Sequence, residues 1–215
     1  QVPGVGREER WSLSTAQWVY FQDELATVES VGLLRGTGGT VQTTEGPERV
    51  TGVMVTHSVL DLLGASAVQG RLFTVEEDDP GSPRVALLSH GFWTRVLGAD
   101  PGVVGTTLHF SGRPVEVVGV LAPALHPPGW PPTLQPELWL PLQVDPAGPF
   151  GNSHVFPAVA RLAPEATPAS AEAEIARLTP RLPETFPNVY SEGFFERYGF
   201  RTEAEQDAER AALRA

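Results

Sequence analysis

The chain of 215 residues carries a net charge of −11 and 41% hydrophobic residues, so it can bury a sizeable core and wholesale disorder is excluded. Its acidity argues against binding to nucleic-acid phosphates or anionic lipid, and its lack of cysteine excludes disulfides, thiolate catalysis and zinc–thiolate sites. The 22 glycines and 21 prolines favour short strands and turns over a helical bundle.

The first predicted element is a helix near residues 15–27. Ser14 is a good N-cap residue, and Gln17 three positions later completes a capping box. Apolar side chains then follow at helical spacing, at Trp18, Phe21, Leu25 and Val28. This pattern predicts a helix that packs one apolar stripe onto a sheet.

Short strands are predicted next, over residues 31–34 and 39–44. The glycines at positions 36, 38 and 39 predict a flexible break between these two strands. The glycine-rich segment lacks the lysine and serine of a phosphate-binding loop, so we interpret it as a turn.

The middle of the chain has a more regular pattern. Its predicted elements, in order, are a strand over 48–55, a helical turn over 59–63 ended by Gly64, a short helix over 75–79 started by Thr74 and Glu77, a buried strand over 85–88, a helix capped by Ser89, paired strands over 106–110 and 114–120, and a strand over 138–142. Ser111-Gly112-Arg113 predicts a tight hairpin, because glycine permits the positive φ that such a turn requires.

A proline-rich loop spans residues 123–136, with Trp130 near its centre. Prolines on both sides stiffen the loop, so the tryptophan can be presented to a partner at a small entropic cost. We therefore select Pro128, Trp130 and Pro131 as a candidate interaction surface. The alternative is that Trp130 folds back over the sheet.

A strand over 155–162 and a helix capped by Thr167 and started by Pro168 are predicted after a Gly/Pro-rich return linker at 145–153. Pro180 and Pro183 should kink or end that helix. Residues 202–215 have a capping box and good helix formers, which predicts a C-terminal helix leading toward a membrane span.

The sequence shows no pattern that would support catalysis or metal binding. Ser89 lacks the glycine spacing of a nucleophile elbow and is better explained as a helix cap. Residues 76–79 are acidic but lack EF-hand spacing, and a helix start favours acidic residues without a ligand. The five histidines are never spaced at i, i+4. We therefore predict no catalytic, cofactor-binding or metal-binding residues.

An ordered series of short motifs runs through the centre of the chain. In order they are Glu48-Arg49-Val50, Val53-Met54-Val55-Thr56, Leu60-Asp61-Leu62-Leu63-Gly64, Gly70-Arg71-Leu72-Phe73-Thr74, Glu76-Glu77-Asp78, Val85-Ala86-Leu87-Leu88-Ser89, Gly91-Phe92-Trp93, Leu97-Gly98-Ala99-Asp100-Pro101, Val104-Gly105, Gly119-Val120 and Glu137-Leu138-Trp139-Leu140-Pro141-Leu142. The series resembles the extracytoplasmic domain of MacB-like and FtsX-like ABC-transporter permeases, in the orphan-permease branch that carries such domains between transmembrane helices.

The resemblance covers roughly residues 12–187 and implies an α+β fold with two lobes. Residues 1–72 and 152–215 would form a discontinuous, porter-like βαβ lobe. Residues 73–151 would form an inserted, mostly β lobe. No stretch of the sequence approaches the roughly 18 consecutive apolar residues of a membrane helix. The family pattern places such helices outside both ends.

The resemblance further implies a non-catalytic domain on the extracytoplasmic, periplasmic side of the inner membrane. Its partners would be the flanking transmembrane helices, a cytoplasmic ABC ATPase, and a second permease copy or an extracytoplasmic adaptor. The domain would couple ATP-driven motion of the helices to export or to a partner protein. The first alternative is a binding module that captures a lipid, lipopeptide or peptide, and the second is a soluble hydrolase.

Overall fold

The helices and strands follow one another in a mixed order in the computed structural model, which describes residues 12–191 except 45, 124, 128, 132, 134, 146, 147, 149 and 150. The strands are β1 (Ser12–Leu13), β2 (Val28–Thr43), β3 (Gly46–Val55), β4 (Ala67–Gly70), β5 (Val85–Leu88), β6 (Thr107–Phe110), β7 (Arg113–Leu121), β8 (Leu138–Pro141) and β9 (Phe156–Leu162). The helices are α1 (Thr15–Glu24), α2 (His57–Leu62), α3 (His90–Val96), α4 (Pro168–Leu178) and α5 (Leu182–Thr185), with 3-10 turns at Glu76–Asp78 and Thr179–Arg181. A large sheet with few helices confirms the predicted α+β class.

Local sequence signals explain where several elements begin. Gln17 N donates to Ser14 Oγ at 3.1 Å and Ser14 N donates to Gln17 Oε1 at 3.1 Å, which confirms the capping box of α1. The hairpin between β6 and β7 is also confirmed. Ser111 and Gly112 have φ values of 49° and 77°, so both residues of the turn adopt the left-handed conformation.

The predicted break in the glycine-rich segment is wrong. β2 runs without interruption through Gly36 and Gly39, because it pairs residue by residue with β3 from Leu34↔Val55 to Thr43↔Gly46. The hydrogen bonds of this long antiparallel ladder outweigh the conformational freedom of glycine.

The structure differs from the predicted elements in several smaller ways. The helix predicted over 75–79 is a shorter 3-10 turn, and the short strands β1 and β4 have no counterpart among the predicted elements. α4 ends at Leu178, before Pro180, as predicted. The predicted C-terminal helix over 202–215 lies outside the described residues.

The strands form one sheet, in the order β1-β9-β2-β3-β8-β5-β7-β4, with β6 pairing both β2 and β7. Strands β2, β3, β8, β5, β7 and β6 therefore close a ring of pairings, which Val41↔Phe110 completes between β2 and β6. The pairing of β3 with β8 is parallel, whereas β2 pairs with β3 and with β9 in antiparallel fashion.

Two apolar cores lie on opposite faces of a shared sheet. The first core contains Leu13, Ala16, Tyr20, Phe21, Leu25, Val31, Leu33, Leu142, Val144, Phe156, Leu178, Leu182 and Tyr190. The second core contains Leu34, Val53, Val55, Val59, Leu60, Phe73, Val85, Leu87, Val118, Leu121 and Trp139. Because neighbouring residues of a strand point to opposite faces, β2 contributes Leu33 to the first core and Leu34 to the second.

Smaller apolar clusters fill the ring of strands, around Val117 and Leu138 and around Ala86 and Leu140. The ring uses β2 and β3 from the predicted first lobe as well as strands from residues 73–151. The lobe boundaries at residues 72 and 152 stay a prediction.

Candidate functional site

The candidate interaction surface lies on the connection between β7 and β8. Trp130 is half-buried and Pro131 is exposed, whereas Pro128 lies outside the described residues. The loop is held by Trp130 N, which donates to Pro127 O at 3.3 Å, and by His126 Nε2, which lies 3.1 Å from Pro131 O.

The indole ring of Trp130 covers part of β2. A Cβ atom built on Gly36 would lie 3.5 Å from Trp130 Cζ2 and 3.6 Å from Cη2, which is ordinary van der Waals distance, so the ring lies directly over this residue. Trp130 and Leu125 also pack against the second core. Part of the ring therefore covers apolar residues while part reaches solvent, and the role of this loop as an interaction surface stays a prediction.

A second feature of interest lies where the parallel strands β3 and β8 end. Leu142 N donates to Val55 O at 2.9 Å, in the last hydrogen bond between the two strands. Two residues beyond Val55 and one residue beyond Leu142, the backbone N–H groups of His57 and Gln143 both donate to Asp78, at 2.7 Å to Oδ2 and 2.8 Å to Oδ1. The Asp78 carboxylate thus bridges the segments that follow β3 and β8, at the point where these segments separate.

Asp78 belongs to residues 71–82, which are called the strap below and form most of the connection between β4 and β5. Within the strap, Arg71 Nη1 and Nη2 each donate to one carboxylate oxygen of Glu77 at 2.7 Å, and Thr74 N donates to Glu77 Oε2 at 2.8 Å. The hydrogen bonds from Arg71 hold the pKa of Glu77 below its ordinary value. These bonds fold the strap into one compact turn that presents Asp78.

Gln143 completes the contact from the opposite side. Its Nε2 donates to Glu77 O at 3.0 Å and to Ser82 O at 3.1 Å, so its side chain closes the strap. Its backbone has φ 51°, the left-handed region that non-glycine residues seldom occupy. Burial raises the pKa of Asp78, while the N–H groups of Gln143 and His57 oppose that shift.

Helix α2 connects this contact to the shared sheet. Thr56, which precedes α2, accepts a hydrogen bond from Leu33 N at its Oγ1 (3.0 Å) and donates its own N–H to Leu33 O (3.1 Å). Arg161 Nη2 of β9 donates to Leu62 O at 3.2 Å, at the end of α2. The helix is therefore fastened to β2 and β9, on the face opposite the first core.

The residues considered for chemistry have structural roles. Ser89 Oγ accepts from Phe92 N at 3.1 Å as the cap of α3. Glu77 is paired with Arg71, and Asp78 bonds to backbone, so the acidic run at 76–79 is divided between different partners. In the part of the chain that the structure describes, no three or more His, Asp or Glu residues are grouped as a metal site.

No pattern in the sequence indicates the contact between Asp78 and Gln143, which are separated by 65 residues. The acidic run at residues 76–79 predicted the start of a helix. That prediction accounts for the hydrogen bond from Thr74 N to Glu77, but it does not account for the two bonds that Asp78 accepts. Gln143 carries no local signal, since its left-handed backbone follows from the chain leaving β8.

Within the described residues, no helix has both the length and the apolar character needed to cross a membrane. A comparison with curated proteins found no significant match.

Solved structures with this fold include domains of three bacterial proteins. The periplasmic region of MacB from Actinobacillus actinomycetemcomitans is 18% identical, with a TM-score of 0.60 over 81% of this chain and 76% of that one. The extracellular domain of the noncanonic ABC-type transporter YknZ from Gram-positive bacteria is 18% identical, with a TM-score of 0.56 over 82% and 85%. A permease-protein domain from Porphyromonas gingivalis is 16% identical, with a TM-score of 0.63 over 86% and 82%.

A family model gives the same assignment at the level of sequence. The model of the MacB-like periplasmic core domain matches residues 2–178, which is most of the chain. The match includes the ordered motifs between residues 48 and 142, the strap and strands β1 to β9. The chain therefore belongs to the family of MacB-like periplasmic core domains of ABC-transporter permeases.

Proposed function

We propose that this chain is the non-catalytic coupling domain of an inner-membrane permease, on the extracytoplasmic side. A cytoplasmic ABC ATPase moves the transmembrane helices that flank the domain, and the domain changes its orientation against a second permease copy or an extracytoplasmic adaptor. The motion drives export or acts on the partner protein. This is rigid-body transmission, which requires a stiff domain and no covalent chemistry.

The observation that carries the proposal is the sheet shared by the two cores. Leu33 and Leu34, adjacent on β2, belong to opposite cores, and the same strand continues into the closed ring through Val41. A displacement of the first core can therefore be transmitted through β2 to the second core and the ring. Glu77 and Asp78, the acidic residues at this contact, are bonded to Arg71 and to backbone N–H groups. They are not arranged with a base and a nucleophile as in a catalytic site.

The test uses the intact permease with its ATPase in proteoliposomes. Replacement of residues 12–191 by a flexible glycine–serine linker should leave basal ATP hydrolysis in place, because no nucleotide-binding motif lies in this chain. Transport or partner activation should be lost. Transport at the wild-type rate without the domain would overturn the proposal.

A binding module for a lipid, lipopeptide or peptide is the second candidate. The observation that favours it is an apolar rim on the second core, formed by the half-buried side chains of Leu63, Leu72, Leu125 and Trp130. Native mass spectrometry of the purified chain, with and without added lipid extract, distinguishes the two functions. A bound lipid that Leu125→Asp removes would favour capture over coupling.

We also propose that Pro128, Trp130 and Pro131 contact an extracytoplasmic adaptor protein. Since the Trp130 ring is half-buried, Trp130→Leu keeps an apolar cover over Gly36 while removing the aromatic surface. The variant should weaken adaptor binding with little change in melting temperature. Trp93→Leu is the matched control, because Trp93 is also half-buried but lies on α3. Equal binding by wild type and Trp130→Leu would exclude this surface.

A further inference from the structure

Asp78 is placed where two parts of the chain diverge. β3 leads into α2, whose Val59 and Leu60 lie in the second core. β8 leads instead into the segment containing Leu142 and Val144, which lie in the first core. The carboxylate accepts a backbone N–H from the first residue of α2 and from Gln143, the residue between Leu142 and Val144.

The strap that carries Asp78 is anchored in the second core. Phe73, near its start, is 1% exposed and packs in that core, and its ring makes an edge contact with His57 at 6.2 Å. Asp78 therefore joins a segment fixed to the second core with a segment fixed to the first. Gln143 reinforces the join, since its Nε2 is bonded to the two strap carbonyls of Glu77 and Ser82.

We propose that Asp78 is a positioning residue that locks the strap to the chain leaving β8, so that the two cores move as one body. Both carboxylate oxygens are used, one for each N–H, and a carboxylate makes stronger hydrogen bonds to backbone than a neutral acceptor does. The proposal deepens the coupling function proposed above and rests on it only for its consequence in the intact permease.

Asp78→Asn is the direct test, because asparagine keeps the size of the side chain but offers one acceptor oxygen to two N–H groups. Amide hydrogen exchange of the 215-residue chain should show faster exchange at His57 or Gln143, by roughly tenfold or more. Asp79→Asn is the matched control, since it removes the same charge from the next residue, which is exposed. The control should leave both amides protected.

The chain has no cysteine, so a pair of spin labels can report on the two cores without background. Glu172→Cys and Arg113→Cys place labels at exposed positions, one on α4, which contributes Leu178 to the first core, and one on β7, which contributes Val118 to the second. The distance distribution between the labels should broaden with Asp78→Asn and stay unchanged with Asp79→Asn. Unchanged exchange at both amides together with an unchanged distribution would overturn the lock.

A second variant covers the case in which Asp78→Asn does not fold. Gln143→Gly favours the left-handed backbone and keeps both N–H bonds to Asp78, but it removes the two bonds of Nε2. If Asp78 is the lock, the distribution should stay narrow in Gln143→Gly, and a distribution that broadens would show that the Gln143 side chain holds the join instead.

In the intact permease, Asp78→Asn should reduce coupled transport while ATP hydrolysis stays unchanged. Normal transport together with a broadened distance distribution between the labels would overturn the role of Asp78 in transmission. If deleting the whole domain leaves transport intact, the coupling function fails while the lock, measured on the chain alone, stands.

Discussion

At the scale of single residues, two glycines among the motifs that carried the family resemblance have a steric explanation. A Cβ atom on Gly119 would lie 2.2 Å from Arg71 O, and one on Gly70 would lie 2.3 Å from Val118 O. The backbones of β7 and of the chain leaving β4 thus touch where neither residue has a side chain. This approach also sets the start of the strap, since Arg71 N donates to Val118 O at 3.0 Å.

Gly119→Ala should accordingly destabilise the fold. The added methyl group meets a backbone carbonyl that cannot rotate away, so β7 and the start of the strap must separate, at a cost of about 1–3 kcal/mol or more. Gly38→Ala is the control, because a Cβ atom there has only Val50 O nearby, at 3.7 Å. Urea unfolding of both variants measures the difference. Equal midpoints would show that the close approach is not rigid.

Tyr190 provides a pH dependence at the residue scale. The side chain is fully buried in the first core, and its hydroxyl oxygen lies 2.5 Å from Ser14 Oγ at the start of α1. Burial raises the pKa of Tyr190 to about 12. Because the pKa of the folded state is above that of the unfolded state, this group's contribution to stability is complete below pH 10 and is lost as the pH rises toward 12.

Tyr190→Phe should therefore reduce the loss of stability between about pH 10 and pH 12. Each unit of pKa shift corresponds to about 1.4 kcal/mol, so the buried tyrosine contributes up to roughly 2–3 kcal/mol to the alkaline decline. Denaturant unfolding at several pH values gives the slope for each protein. Parallel declines in wild type and Tyr190→Phe would mean that the tyrosine is not the group responsible.

At the scale of elements, the sequence predicted those features whose partners are close in the chain. Ser14 and Gln17 are three residues apart, and the hairpin at Ser111 and Gly112 depends on its own φ angles. β2 was predicted in two pieces because its continuity depends on β3. The contact between Asp78 and Gln143 was not predicted either, because its geometry exists only after β3 and β8 have paired.

The packing of α2 on β2 shows how a glycine permits contact between two elements. A Cβ atom on Gly32 would lie 2.5 Å from Val59 Cγ2 and 3.0 Å from Ser58 Oγ. Ser58 Oγ itself donates to Val31 O at 3.0 Å, which holds the helix at this distance. The helix can approach the strand this closely only because position 32 has no side chain.

Gly32→Ala should therefore destabilise the chain, and Val59→Ala should partly restore it by removing the clashing methyl groups. Val59→Ala alone leaves a cavity in the second core and is destabilising as well. The double variant should be more stable than the sum of the two single effects predicts, by about 0.5–3 kcal/mol. Gly38→Ala combined with Val59→Ala is the control pair and should be additive. Additivity in the first pair would show that α2 adjusts freely.

At the scale of the whole molecule, the two main cores of residues 12–191 draw on overlapping sets of strands. The first core combines α1 with the segments around Leu142, Phe156 and Leu178, which are far apart in sequence. The second core and the ring draw on β2 and β3 as well as on residues 73–151. The predicted lobes thus share their strands, which suits a domain that transmits motion as a rigid body.

The last prediction concerns the folding of the predicted β-rich lobe by itself. A fragment of residues 73–151 lacks β3, so β8 keeps only its pairing with β5 at Leu87↔Trp139 and Leu88↔Leu138. The fragment also lacks the second-core residues Leu34, Val53, Val55, Val59 and Leu60. A short open sheet with half a core is marginal at best, so circular dichroism and NMR should show an unfolded chain.

A fragment of residues 28–144 contains every strand of the ring and should give dispersed amide signals. A cooperatively folded 73–151 fragment would contradict this account and would show that residues 73 and 151 bound an independent domain.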